Sequence, residues 1–108
     1  MHDADSIEIR ELLWSNLQDP IADVRGEALV GLASRQDERV VPVLMGLLDA
    51  NCRVYELQAA EFIASPALLP RLKVLEKLAI GEDATDSYWL HHLLDAIDAC
   101  CDRHERPQ

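Results

Sequence analysis

His91, His92, Cys100, Cys101 and His104 carry the side chains of this chain best suited to chemistry. Imidazole and thiolate are the usual ligands of zinc and related ions. Their spacing decides what they can do together. On a helix Cys100 and His104 share a face, whereas neighbours such as His91 and His92 diverge by about 100°. Either histidine lies more than two turns from Cys100. One straight helix therefore cannot gather four of these groups around an ion, and no metal is expected. Cys100 and Cys101 are read as small packing groups, with Cys101 facing inward. The histidines are read as surface residues.

Other chemistries find less support. The sequence contains no Gly-x-Ser-x-Gly and no glycine-rich phosphate loop. A Ser/His/Asp set can be named from any chain of this size, and nothing here orders one. The acidic pairs Asp95/Asp98 and Asp83/Asp86 read as a solvated face or as helix N-termini. No catalytic residue and no cofactor is expected. The aromatics are more informative. Tyr88 and Trp89 stand beside Glu82, Asp83 and Asp86, and aromatic side chains within an acidic patch suit a basic protein partner. The competing use for the same pair is to cap the last hairpin.

The elements that must position these residues are helices. The chain has 108 residues, enough for one domain. It holds 17 Leu and 13 Ala against 14 β-branched residues, and only 4 Gly. Leu and Ala lose little freedom in a helix, so an all-α fold is expected. Apolar residues recur at helical spacing over six stretches. The first runs from about Ile7 to Gln18 with Ile9, Leu12, Leu13 and Leu17 inward, and Asp5 with Glu8 can form a capping box. Asp19-Pro20 suits a cap followed by the first residue of a second helix, ending near Ala33 with Val24, Ala28, Leu29 and Leu32 inward. Asp37 can cap a third, about Glu38 to Asp49, burying Val40, Val41, Leu44, Leu47 and Leu48. A fourth spans about Arg53 to Ala64 and buries Val54, Leu57, Ala60, Ile63 and Ala64. Ser65-Pro66 repeats the cap-then-proline device before a fifth, about Pro66 to Ala79, with Leu68, Leu69, Leu72, Leu75 and Leu78 inward. Pro70 sits early enough to be tolerated. After the Ile80–Thr85 connection, where Gly81 suits a C-cap, a sixth helix spans about Asp86 to Arg103 with Leu90, Leu93, Leu94 and Ile97 inward. His104 to Gln108 are expected to fray.

Charge bounds the partners. Twenty acidic residues against ten basic ones give a net charge of −10. Nucleic acid and anionic membranes need a clustered positive surface, and the densest basic cluster is only Arg71, Lys73 and Lys77 around Glu76. Neither is expected as a partner. No uncharged apolar run approaches the ~20 residues needed to cross a bilayer, and the acidic Met1-His2-Asp3-Ala4-Asp5 start is unlike a signal peptide. Three cysteines, two adjacent, do not make a disulfide framework. A reducing cytoplasm is the expected location.

The chain also resembles itself. A shift of 31 lays Ala28, Leu29, Ala33 and Ser34 on Ala59, Ala60, Ala64 and Ser65. A shift of 30 lays Leu17, Asp19 and Val24 on Leu47, Asp49 and Val54. A shift of 28 lays Val41-Pro42 and Leu44 on Leu69-Pro70 and Leu72, given a turn three residues shorter. A two-helix unit of about 30 residues is a helical-repeat signature, and such hairpins bury their apolar faces only by stacking.

Asp19-Pro20-Ile21-Ala22-Asp23-Val24-Arg25-Gly26-Glu27-Ala28-Leu29 resembles the first helix of a HEAT repeat of the short phycobilisome-lyase type. Asp37-Glu38-Arg39-Val40-Val41-Pro42-Val43-Leu44, closing on Leu47-Leu48-Asp49, resembles its second helix. The next repeat, 51–79, departs: Arg53 precedes Val54 instead of following it. Residues 7–18 match a second half-repeat, and 86–103 keep only the apolar spacing of a capping helix. The opening half-repeat suits either a cap or a fragment cut from a longer solenoid, and the polar end favours a small complete protein. The resemblance implies an α-α superhelix in which Asp23 and Arg25 make contacts between repeats. It implies that second helices line a concave face. Trp14, Met45 and Lys73 align on that face, with Ser15, Gly46 and Val74 as the neighbouring row and Arg39 at the start of the second helix. Together with Tyr88 and Trp89 these are the candidate partner-binding residues.

The expected function is a non-catalytic protein-protein interaction module, monomeric or weakly oligomeric, binding a basic protein and serving as an adaptor, inhibitor or immunity-type protein. The resemblance also implies an alternative, a bilin-lyase-like subunit or a chaperone of chromophore proteins. Some HEAT-repeat enzymes bind iron through repeated His-Glu pairs, but this chain has one such pair, His104-Glu105.

Overall fold

A helix leaves its first N–H groups without partners, and short polar side chains stand at or just before the start of several helices here. The computed structural model describes residues 6–49, 51–80 and 86–105. They form six α-helices: α1 (Ile7–Asn16), α2 (Ala22–Ser34), α3 (Val40–Leu47), α4 (Val54–Ile63), α5 (Leu69–Ile80) and α6 (Ser87–Glu105). A 3₁₀ turn at Pro66–Leu68 leads into α5. The chain is thus all-α, as its composition requires.

The caps differ from the sequence reading in detail. Ser6, rather than Asp5, caps α1: its Oγ accepts from the Ile9 N–H at 3.1 Å. Asp5 lies outside the described residues, as do Gly81, most of the connection before α6, and residues 106–108. Asp19 accepts from the Ile21 N–H at 2.8 Å. That local turn takes up Pro20 and Ile21, so α2 starts at Ala22. Ser65 accepts from the Ala67 N–H at 3.3 Å, and Pro66 opens the 3₁₀ turn that follows. Asp86 accepts from the Tyr88 N–H at 2.9 Å. α6 continues through Glu105, two residues beyond its expected end.

Contacts between remote residues fix the topology. α1 lies against α2 and runs opposite to it, because Arg10 near its start donates to the Arg35 carbonyl just past the end of α2 at 2.8 Å. α2, α4 and α6 form a row and run the same way. At one end of the row the Arg53 guanidinium meets Asp23, and the Trp89 Nε1–H donates to the Cys52 carbonyl at 2.7 Å. At the other end Gln36 donates to the Phe62 carbonyl at 2.7 Å, and the Cys100 thiol reaches the Ala60 carbonyl at 3.8 Å. α1, α3 and α5 form the second layer. Arg39 at the head of α3 reaches Glu11 of α1 at 3.0 Å, and Arg71 of α5 donates to the Leu48 carbonyl after α3 at 2.8 Å. The molecule measures 48 × 39 × 22 Å. Its thickness is that of two helix layers, each about 10–12 Å.

One apolar seam fills the space between the layers. Leu29 and Leu32 of α2, Leu44 of α3, Leu57 and Ile63 of α4, Leu72 of α5 and Leu93 of α6 are all fully buried within it. Four expected core residues are instead exposed: Leu12 at 62%, Leu47 at 44%, Leu78 at 54% and Leu94 at 43%. Three of them belong to Leu-Leu pairs. Adjacent helical residues point about 100° apart, so Leu13, Leu48 and Leu93 take the inward place and their neighbours turn out. Leu78 lies on α5, which no further described helix covers in its layer. The cysteine pair is also exchanged: Cys100 is fully buried and Cys101 only half so.

The row closes most tightly over Gly26. A Cβ placed there would come within 2.5 Å of the Tyr55 ring on α4. α2 and α4 approach this closely because position 26 has no side chain. Gly46 on α3 is the opposite case, with nothing within 4 Å of an added Cβ.

Gly26→Ala is predicted to destabilise the fold by about 1–3 kcal/mol through overpacking. Gly46→Ala should be neutral or stabilising by up to about 1 kcal/mol, because it gains helix propensity in open space. Urea denaturation of the two variants checks both signs. In the same assay Leu44→Ala should cost ~2–5 kcal/mol, the range for truncating a fully buried leucine.

Candidate functional site

Asp37 is the one charged or polar residue buried among the described residues, and it organises the face of α1 and α3. The backbone brings it there. Gln36 adopts a left-handed conformation (φ 60°) that ends α2, and the Asp37 N–H then returns to the Leu32 carbonyl at 3.1 Å. The Asp37 carboxylate accepts from the Arg39 N–H at 3.1 Å, from Nε at 3.0 Å and from Nη2 at 2.8 Å. Arg10 from α1 stands 3.8 Å away. The Arg39 hydrogen bonds hold the Asp37 carboxyl below its usual range against the opposing effect of burial.

Arg39 continues outward. Its guanidinium also holds Glu11, and it lies 4.6 Å over the Trp14 ring as a cation–π partner. Trp14 and Arg39, both expected at the binding face, are therefore brought together. Trp14 is half-buried, with one side against the core.

Below this stack a cleft of about 350 Å³ opens between α1, α2, α3 and the start of α4. Trp14, Leu17, Val43 and Leu47 supply its apolar wall. Gln18, Arg25, Arg53 and Glu56 supply its polar edge. Two of these cations are structural as well. Arg53 pairs with Asp23 thirty residues earlier in the sequence and stacks 5.1 Å from the Tyr55 ring. Arg25 donates to the Asp19 carbonyl at 2.7 Å within its own segment. Asp23 thus ties α2 to α4 through Arg53, whereas Arg25 bonds within its own segment.

The remaining expected residues divide. Ser15, Met45, Gly46, Lys73 and Val74 are all exposed on α1, α3 and α5, and none lines the cleft. The Ser15 hydroxyl donates back to the Leu12 carbonyl at 2.9 Å. Trp89 is half-buried on the core and bonded to Cys52, so it closes the end of the row. Tyr88 is exposed and meets His92 edge-on at 4.7 Å. Leu47 was missed as a site residue because the sequence reading placed it in the core. The signal was available in the Leu47-Leu48 pair, of which a short helix can bury one member.

A second feature went unseen in the sequence. Glu61 of α4 meets His92 and Asp95 of α6, and one donor atom from each lies within 4.8 Å of the others. Asp95 is also 3.4 Å from the exposed His91. An open groove of about 570 Å³ runs beside them, lined by Glu61, Asp95, Asp98, Cys101 and Asp102. The set spans two helices, so a search along one helix cannot find it. Cys52 offers no nucleophile, because burial pushes its thiol up to about 12, with Glu56 adding to the effect.

No family model matches the chain. Among curated proteins it is similar to protein YibA of Escherichia coli K12 and to that of Escherichia coli O157:H7. Each is 38% identical over 73 residues, which cover 66% of this chain and 26% of the relative. Among solved structures it is similar to the crystal structure of Escherichia coli YibA, with a TM-score of 0.67 at 29% identity over 87% of this chain and 33% of that one. The chain therefore spans about a quarter to a third of the relatives it matches. No helix among the described residues is long and apolar enough to cross a membrane.

The Asp37 contact sets a pH dependence. An unfolded Asp titrates near 3.9, and the folded carboxylate titrates lower. On acidification the unfolded chain takes up the proton first, so the stabilisation is full above about pH 5 and is lost as pH falls through the folded value. Asp37→Asn is predicted to flatten this part of the stability profile between about pH 5 and 3, measured by urea midpoints across the range.

Proposed function

We propose that the chain is a stack of HEAT-like helical hairpins of the phycobilisome-lyase type, an α-α superhelix, acting as a non-catalytic protein-binding module. The repeat reading is supported by the parallel row of α2, α4 and α6 and by the 30-residue spacing of the Asp23–Arg53 pair. It is also supported by the match to only a third of a longer solved chain, as expected of units that stack. The partner we propose is a basic protein, and the role that of an inhibitor or immunity-type protein in the cytoplasm. A net charge of −10 favours encounter with such a partner.

The observation that carries this reading is the cleft beside Trp14. Apolar surface from Trp14, Leu17 and Leu47 is open to solvent and edged by polar groups that can fix the register of a bound segment. Leu47 is the exposed member of that wall, so its replacement tests binding without touching the core.

The test compares capture of partners from the native cell by the wild-type chain and by Leu47→Asp. The expected result is a protein retained by the wild type, lost in Leu47→Asp, and released at about 1 M salt, where charges are screened beyond about 3 Å. Equal capture by both forms would remove the cleft from the proposal. Capture indifferent to salt would remove the basic partner. A spectral change on mixing the chain with a bilin and an acceptor protein would favour the lyase-like alternative.

A further inference from the structure

We infer that Glu61, His92 and Asp95 form a binding site for a divalent transition-metal ion, bridging α4 and α6. The three residues come from two helices that the core already fixes side by side, and each offers one donor atom within 4.8 Å of the other two. Bonds of about 2.1 Å at near-tetrahedral angles place donors about 3.4 Å apart. Closing the site from within 4.8 Å needs these half-buried side chains to draw together by up to about 1.4 Å, a movement within reach of rotamer adjustment.

Carboxylates alone would be a solvated acidic face. The imidazole makes the difference. Nδ1 of His92 is shut off from solvent and has no hydrogen-bond partner among the described residues. A buried ring nitrogen left this way is costly. Among the described residues no group bonds to Nδ1, so the ring can offer a lone pair to an ion. Tyr88 meets the same ring edge-on and limits its rotation.

The donor chemistry selects the ion. One imidazole and two carboxylates suit zinc and its neighbours; magnesium and calcium prefer oxygen alone. Three protein ligands leave at least one coordination position for water or for an outside group. His91, 3.4 Å from Asp95, is placed to orient that carboxylate from behind. This site is independent of the Trp14 cleft and of the function proposed for it.

The test is calorimetric titration of the full chain with zinc chloride, beside Glu61→Gln, His92→Gln, Asp95→Asn and Cys101→Ser. The expected result is one ion bound per chain, with affinity falling roughly tenfold or more in each of the first three variants. Cys101→Ser, which removes the thiol lining the neighbouring groove, should bind like the wild type. Zinc should raise the melting temperature of the wild type and leave that of His92→Gln unchanged. Circular dichroism confirms that each variant is folded, and because Glu61 lies on the other helix, one misfolded variant does not end the test. No zinc uptake, unchanged affinity in folded Glu61→Gln and His92→Gln, or equal loss in Cys101→Ser would overturn the site.

Discussion

The apolar seam between the two helix layers is the constraint on which everything else rests. None of the six helices has enough apolar surface to stand alone, and short helices are marginal in water without tertiary packing. α3 has 8 residues, and α1 and α4 have 10 each. They persist because Leu44, Leu57 and their neighbours are removed from water together. The seam also explains why polar contacts sit at its edges. Asp23–Arg53, Gln36–Phe62 and Trp89–Cys52 all tie the ends of helices whose middles are already packed.

Much of the fold was legible because helical periodicity reports burial directly. Helix number and order, the Ser65-Pro66 and Asp86 starts, and most of the core follow from spacing and cap chemistry. What could not be read was which of two adjacent leucines turns inward, since both satisfy the pattern until a neighbour claims one face. The Cys100-Cys101 exchange has the same origin. Helix starts shifted where an aspartate first closed a local turn, as at Asp19 and Asp37.

The candidate sites show a similar division. Trp14 and Arg39, both named from the sequence, are in contact. The joining of Glu61 to His92 and Asp95 depends on α4 and α6 lying side by side, which no one-dimensional spacing contains. Arg53 is instructive in another way. It precedes Val54 instead of following it, and its guanidinium meets Asp23 and lies over Tyr55, the ring that fills the space left by Gly26. The contact therefore ties the start of α4 to the start of α2.

The shared direction of α2, α4 and α6 has an electrical result. Three helix amino ends gather at one edge of the slab, each carrying roughly half a positive charge. Asp19, Asp23, Glu56 and Asp86 stand at that edge. The aligned dipoles favour these carboxylates, and Arg53 pairs with Asp23. A distant molecule would therefore feel the −10 of the chain unevenly. Farther along α6, Asp95, Asp98 and Asp102 lie beyond the reach of those amino ends.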